Sequence, residues 1–191
     1  MTDKLQSLDT RLKEVLRAYR DSFSIKTYSE ENDDLDPLMG VFGITPVQKR
    51  ENRQYWGREL GMCWQLLVKR VLSFHCKDYA PAIKIGSDEP CDCCAAKDAI
   101  DTKYRIGSGD SGTLKKFKSY GRLLGDRGYR PVLLVVREDN LPAAITACTT
   151  GGWMVLQGQR TFDYVRNLSG FDLNQWLDAC TASGDFFITK V

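Results

Sequence analysis

The 191-residue sequence contains no long apolar segment, and this absence narrows the functions to consider. No stretch approaches the ~18 to 20 apolar residues that a membrane-spanning helix needs, so we expect no membrane span. The amino-terminal run MTDKLQSLDTRLKEVLR is charged and patterned as a helix, without the apolar core of a signal peptide. This pattern favours a cytoplasmic protein.

Paired CxxC motifs are also missing, although the chain has seven cysteines. In a cytoplasmic protein these are most simply reduced thiols that pack as small apolar groups. The only histidine lies beside one of them, so a zinc site is an alternative, with ligands drawn from His75, Cys76, Cys91, Cys93 and Cys94. However, the CxCC spacing differs from the two CxxC pairs typical of structural zinc sites.

A Walker phosphate loop, an internal repeat and a low-complexity tract are absent as well. The run RIGSGDSGTLKK has a glycine-rich turn that opens a helix, and backbone N–H groups there can bind phosphate, but no Gly-Lys-Ser/Thr follows.

Charge is distributed unevenly along the chain, although the net charge is only +2. Residues 29–36 carry five acids and no base, whereas residues 103–137 carry nine bases and two acids. The basic stretch predicts a polyanionic partner.

The apolar pattern predicts one domain over residues 1–191, with an amino-terminal helix and acidic loop in 1–44 and the core in 45–191. Predicted helices cover Thr2 to Phe23, Pro46 to Phe74, Gly112 to Leu124, Leu141 to Thr149, Thr161 to Asn167 and Asp172 to Cys180. Predicted strands cover Ala82 to Gly86, the segment at Asp92, Ala99 to Ile106, Arg130 to Arg137 and Trp153 to Leu156. This order predicts an α/β fold with a mixed central sheet flanked by helices.

Two acids and a lysine form the most informative pattern. Side chains alternate along a strand, so Asp101 and Lys103 are expected on one face and Thr102 on the other. If the chain turns back around Ala96-Lys97, Asp92 lies opposite Asp101, with Cα atoms roughly 4.5 to 5.5 Å apart. Two carboxylates and a lysine then share one face of a hairpin.

Like charges placed opposite each other on a sheet destabilise it, and a divalent cation removes that conflict. Carboxylate oxygens with room for waters suit Mg²⁺. A lysine beside the ion can orient or deprotonate an attacking water, or stabilise charge on a phosphate. The pattern therefore indicates phosphodiester hydrolysis, although Asp-x-Lys is also common on solvated strands.

Glu59 falls within an apolar arc of the long helix that is predicted to begin at Pro46. A lone buried charge is unfavourable, so this carboxylate needs a cation or hydrogen-bond donors. It is either a third acid beside Asp92 and Asp101 or the partner of an arginine elsewhere.

The order of these features resembles the PD-(D/E)XK nuclease core of many type II restriction endonucleases: a helix with Glu59, a strand at Asp92, a strand with Asp101-x-Lys103, a helix, and an apolar strand. The stretches YRIGSGDSGTLKKFKSYG and RPVLLVVREDNLPAAI are similar to ApaLI-like restriction endonucleases. The chain departs from the family pattern at Cys91, where proline is usual, and in having Asp101 where glutamate is commoner.

The resemblance implies a restriction-endonuclease-like fold and Mg²⁺-dependent, sequence-specific hydrolysis of double-stranded DNA that leaves 5′-phosphates. It implies Asp92, Asp101 and Glu59 as metal ligands and Lys103 as the residue that serves the attacking water. A homodimer would cut both strands. Candidate DNA contacts lie in the basic stretch: Arg105, Ser108, Lys115, Lys118 and Arg122.

Two alternatives stay open. One is another nuclease with the same core, such as a junction resolvase or a repair nickase. The other is a nucleic-acid-binding protein without catalytic activity, in which the acids are structural or the cysteines hold zinc.

Overall fold

The computed structural model describes residues 10, 12–20, 31–107 and 109–188. Residues 12–20 are helical and form α1; the rest of the predicted Thr2 to Phe23 helix, apart from residue 10, lies outside the described residues. The later helices are α2 (Pro37–Phe42), α3 (Pro46–Glu51), α4 (Arg53–His75), α5 (Ser111–Gly125), α6 (Pro142–Thr150), α7 (Gln159–Ser169) and α8 (Leu173–Ser183). The strands are β1 (Tyr79–Pro81), β2 (Cys93–Ala95), β3 (Asp98–Lys103), β4 (Arg130–Val135) and β5 (Met154–Gln157).

The strands form one mixed sheet in the order β1-β2-β3-β4-β5. The pairs β1/β2 and β2/β3 are antiparallel, whereas β3/β4 and β4/β5 are parallel. Parallel neighbours need a crossover connection, and α5 and α6 provide it. The α/β fold with a mixed sheet flanked by helices is therefore confirmed.

Two apolar cores lie on opposite faces of the sheet. One contains Ile100, Val132 and Leu134 and is covered by α2, α4, α7 and α8. The other contains Leu133 and Val135 and is covered by α5 and α6. Because β4 is buried on both faces, its sequence is a continuous apolar run, as predicted.

The predicted helix from Pro46 to Phe74 is in fact two helices. Thr45 forms the predicted cap with a full capping box at α3. The chain then breaks at Asn52, which leaves helical geometry at φ −151° and ψ 73° and accepts a hydrogen bond from the Tyr55 N–H. An asparagine side chain that satisfies a free backbone donor favours such a break.

The buried stripe of α4 differs from the predicted arc. Its buried residues recur every four positions, at Leu60, Trp64, Val68 and Leu72. The indole N–H of Trp64 donates to the Leu134 carbonyl on β4 at 3.3 Å, which fixes the rotation of the helix. Several residues of the predicted arc are exposed instead, namely Tyr55, Met62, Leu66 and Phe74.

Two further element predictions are wrong. Residues 82–86 do not form a strand; the outer strand is β1, three residues long, and Ile85 makes only an isolated bridge with Asp88. The acidic, proline-containing segment was expected to be a loop throughout, yet it contains α2. Asp36 caps that helix by accepting hydrogen bonds from the N–H groups of Leu38 and Met39, and Pro37 opens it.

The acidic segment is tied to the core by ion pairs. Arg137, just after β4, is buried, and its guanidinium donates to Asp36 at 3.3 Å and to the Asn32 carbonyl at 3.2 Å. Lys49 is also buried and pairs with Glu31 at 2.5 Å. These acids therefore stabilise the packing of residues 31–36 against the core.

The described helices include none that is long and apolar enough to cross a membrane.

Candidate active site

The hairpin of β2 and β3 brings Asp92 and Asp101 together. Cys93 pairs with Ile100 and Ala95 pairs with Asp98, which leaves Ala96 and Lys97 as the turn. Asp92 lies one residue before β2, and its N–H donates to the Ile100 carbonyl at 2.8 Å, so it is near Asp101 at the end of the hairpin but does not form the regular pair with Asp101 that the sequence predicts. The two carboxyl groups are close enough that Asp92 raises the pKa of Asp101.

Lys103 forms an ion pair with Asp101. Its Nζ lies 2.7 Å from Asp101 Oδ2 and also donates to the Thr102 carbonyl at 3.0 Å. The Asp101 side chain is 14% exposed and that of Lys103 is 38% exposed, so the pair is accessible from one side. Asp92, Asp101 and Lys103 therefore form one compact cluster, here called the acid–lysine cluster.

Asp92 accepts hydrogen bonds on both carboxylate oxygens. Its Oδ2 accepts from the Thr102 backbone N–H at 2.8 Å and from the Thr102 hydroxyl at 2.5 Å. Its Oδ1 accepts from the side-chain amide of Gln65 on α4. The sequence analysis did not identify Gln65 or Thr102 as partners of Asp92. The available signal for Gln65 is its position directly after the buried Trp64, at the border of the apolar stripe.

The electrostatics of the cluster are unusual for Asp101. The pKa of Asp101 is raised to about 6, mainly by burial and also by the nearby Asp92, while Lys103 opposes the shift. Burial alone would lower the pKa of Lys103, but the Asp101 carboxylate outweighs it and the pKa is raised. A carboxylate that is costly to ionise, next to a second one, favours the binding of a cation.

The cluster fits a magnesium ion by the chemistry of its donors. Mg²⁺ usually binds one or two carboxylates and keeps several waters, with substrate phosphate completing its ligands. Asp92 and Asp101 supply two such carboxylates side by side. Among the residues that the structure describes, no group of three or more His, Cys, Asp or Glu side chains is placed to hold a metal.

Glu59 does not join this cluster, so its prediction as a third acid is wrong. Its carboxylate is exposed and pairs with the neighbouring Arg58 at 2.8 Å. The cause is the rotation of α4, whose buried stripe begins at Leu60 and turns Glu59 toward solvent. The residue of α4 that contacts Asp92 is Gln65.

Two other acids near the hairpin, Asp98 and Asp88, are alternatives to Asp92 as the first acid of the pattern. Asp98 is buried and accepts two hydrogen bonds from Arg130, at 2.7 and 2.6 Å, and one from Tyr164. Asp88 is exposed and bridges Ile85. Neither residue shares the position of Asp92 beside Asp101.

The zinc alternative fails among the described residues, which include His75 and all seven cysteines. Cys93 belongs to the core on the α4 side of the sheet, whereas Cys91 and Cys94 belong to the core under α5 and α6. The His75 ring stacks on Phe171 at 5.5 Å between ring centroids. The cysteines therefore act mainly as packing residues.

The predicted DNA-contact residues separate into three groups. Lys115, Lys118 and Arg122 are exposed on one face of α5, which packs on the same sheet face as Asp101. Arg105 is held by the carbonyl and carboxylate of Asp139, at 3.1 and 3.3 Å, with a 12% exposed side chain, so it stabilises the loop after β3. Ser108 lies outside the described residues.

Comparison with protein-family models, with curated proteins and with solved structures finds no match to this chain.

Proposed function

We propose that this chain is a Mg²⁺-dependent deoxyribonuclease with a PD-(D/E)XK core, acting as a type II restriction endonuclease that leaves 5′-phosphates. The observation that carries the proposal is the acid–lysine cluster, in which Asp92 lies beside Asp101 and Lys103 Nζ lies 2.7 Å from Asp101. Surface ion pairs are common, but two adjacent carboxylates with a lysine on a buried strand are the groups that metal-assisted phosphodiester hydrolysis requires.

The order of elements supports this proposal. A long helix precedes an antiparallel β1-β2-β3 unit, which carries the acids, and α5 then leads to the parallel strand β4. This is the order of helix, acid-bearing strands, helix and apolar strand on which the resemblance to a restriction-endonuclease-like core rests. The ApaLI-like resemblance adds a narrower proposal within the same family.

Each residue of the cluster would have a separate role in hydrolysis. A bound magnesium ion would supply an activated water and neutralise charge on the phosphate. Asp92 and Asp101 would hold the ion, since hard oxygen ligands suit it. Lys103 already donates to Asp101 and to the Thr102 carbonyl, which leaves the third N–H of its ammonium group for the attacking water or a phosphate oxygen.

Double-stranded DNA is the proposed substrate because α5, which packs on the same sheet face as Asp101, has a cationic exposed face. The exposed side chains of Lys115, Lys118 and Arg122 are spaced to follow one side of α5. Contacts of this kind bind the phosphate backbone and carry no sequence information. A homodimer is proposed because two symmetric clusters would cut the two strands of a palindromic site.

A second candidate function has an observation of its own. Asp92 accepts three hydrogen bonds from Thr102 and Gln65, so its carboxylate is satisfied without an ion. That is also the pattern of a structural polar cluster. The alternative is a nucleic-acid-binding protein that does not cut.

The test is digestion of phage DNA by the purified chain with Mg²⁺, compared with Asp101→Ala and Lys103→Ala. We expect discrete fragments with 5′-phosphates from the wild type, and a loss of cutting by about 100-fold or more in each variant, because each removes charge stabilisation from the transition state. DNA binding in gel shifts should persist in both variants.

Lys97→Ala is the matched control, since Lys97 is an exposed lysine in the turn of the same hairpin. It should cut at the wild-type rate. Bound but intact DNA with the wild type would select the binding protein, and cleavage of branched DNA alone would select a resolvase.

A further inference from the structure

Gln65 is the residue through which α4 reaches the acid–lysine cluster. It follows the buried Trp64, and its half-buried amide donates to Asp92 Oδ1. Because Trp64 is anchored to the Leu134 carbonyl, the helix cannot rotate freely and Gln65 is held toward the hairpin.

Residues of both β3 and α4 donate hydrogen bonds to the Asp92 carboxylate. The Thr102 N–H and hydroxyl hold Oδ2 from within β3, at 2.8 and 2.5 Å, while Gln65 holds Oδ1 from α4. A carboxylate with donors on both oxygens cannot turn about its Cβ–Cγ bond without breaking hydrogen bonds. The plane of the Asp92 carboxylate is therefore fixed beside Asp101.

We propose that Gln65 is a positioning residue that fixes Asp92 for cation binding; this inference rests on the proposed function. The amide suits that role for an electrostatic reason. A glutamate at this position would add a third negative charge against two carboxylates that already lie side by side. The amide instead supplies a donor, which keeps the acids in place before the ion arrives. Groups that orient metal ligands commonly change metal affinity by 10- to 100-fold when they are removed.

The experiment uses Gln65→Met in the full chain, because methionine keeps the length and volume of the side chain and removes the donor. Mg²⁺ affinity is measured by titration calorimetry without DNA, and the melting temperature is measured in chelator. We expect the dissociation constant for Mg²⁺ to rise by about 10- to 100-fold. In cleavage assays the Mg²⁺ concentration for half-maximal rate should rise by the same factor, with the rate at saturating Mg²⁺ nearly restored.

Gln54→Met is the matched control, since Gln54 is an exposed glutamine near the start of the same helix, and it should leave the Mg²⁺ affinity unchanged. If Gln65→Met does not fold, Gln65→Ser replaces it, because serine tolerates a half-buried site and is too short to reach Asp92.

Asp101→Asn distinguishes the role of Gln65 from the proposed function of the chain. Mg²⁺ binding that is lost in Asp101→Asn but kept within about threefold in the Gln65 variants would overturn the role of Gln65 and leave the proposed function standing. A wild-type chain that binds no Mg²⁺ even with DNA present would overturn the proposed function itself.

Discussion

At the scale of single residues, Asp101 carries the main electrostatic conflict of the acid–lysine cluster. It is nearly buried, lies beside a second carboxylate, and is balanced by one lysine. The raised pKa of about 6 means that its ionised form is penalised in the folded chain. This penalty makes the site sensitive to pH and to cations.

We predict that Mg²⁺-dependent cutting falls as the pH drops through about 6, the raised pKa of Asp101. Below that pH the carboxyl group is protonated and cannot hold the ion, so the initial rate at subsaturating Mg²⁺ should fall about tenfold per pH unit. Initial rates between pH 5 and 8 would show this. Higher Mg²⁺ should restore the rate, because ion and proton compete; a rate independent of pH down to 5 would contradict the assignment.

The stability of the metal-free chain should change with pH in the opposite sense. The folded chain holds the Asp101 proton more tightly than the unfolded chain does, so this group's contribution is favourable at low pH and is lost as the pH rises from about 4 to about 6. The free energy involved is about 3 kcal/mol. Asp101→Asn should remove this component from the pH dependence of urea unfolding.

The sequence could predict which acids meet but not which helix residue faces them. Strand alternation and a short turn set the register of β2 and β3, which brings Asp92 near Asp101, although the Asp92 N–H bonds the Ile100 carbonyl instead of continuing the regular pairing. The rotation of α4 depends on which of its many apolar residues packs on the sheet. The hydrogen bond of Trp64 to Leu134 decides this, turning Glu59 outward and Gln65 inward.

At the scale of elements, α5 and the carboxyl end of α6 are packed backbone against backbone. A Cβ atom on Gly121 would overlap the Gly151 carbonyl oxygen and lie 2.7 Å from the Trp153 ring. The indole N–H of Trp153 donates to the Phe117 carbonyl at 2.8 Å, which anchors the same turn of α5. The helix with the exposed cations therefore has a fixed place on the sheet.

We predict that Gly121→Ala destabilises the chain by about 3 kcal/mol, because the added methyl group has no space and the helices must separate. Gly125→Ala is the matched control: no atom lies within 4 Å of a Cβ there. It should stabilise the chain by about 0.5 to 1 kcal/mol by restricting the unfolded state. Urea midpoints compare the two, and equal shifts would rule out the close contact.

Element types were easier to predict from sequence than element ends. Strong signals such as the apolar run of β4 and the capped start of α5 at Asp110 could be read directly. The short strand β1 could not, because it depends on its pairing with β2, as between Tyr79 and Ala95. The break at Asn52 depends on a local cap onto the Tyr55 N–H that the apolar pattern does not reveal.

At the scale of the whole molecule, the two charged stretches of the sequence have different roles. The acids of residues 31–36 mostly form ion pairs with core residues, such as Glu31 with Lys49 and Asp36 with Arg137. The bases of α5 are exposed. The net charge of +2 thus leaves a cationic surface on the α5 side.

We predict that the double variant Lys115→Ala/Lys118→Ala weakens DNA binding and lowers the slope of log K against log salt by about 2, since each phosphate contact contributes about one unit. Fluorescence anisotropy at several salt concentrations measures the slope. The control is Lys77→Ala/Lys84→Ala, two exposed lysines outside α5, which should leave the slope unchanged. Identical slopes for both double variants would exclude α5 as the DNA-binding face.

Arg137 forms hydrogen bonds and an ion pair with residues 32–36, which precede it by more than 100 positions. This separation has a consequence for folding during synthesis on the ribosome. The acidic segment emerges long before the arginine that secures it. Glu31 can pair with Lys49 early, but the contacts of Asn32, Asp34 and Asp36 with Arg137 cannot form until the chain beyond β4 has been translated. The attachment of residues 32–36 is therefore completed late, although these residues leave the ribosome early.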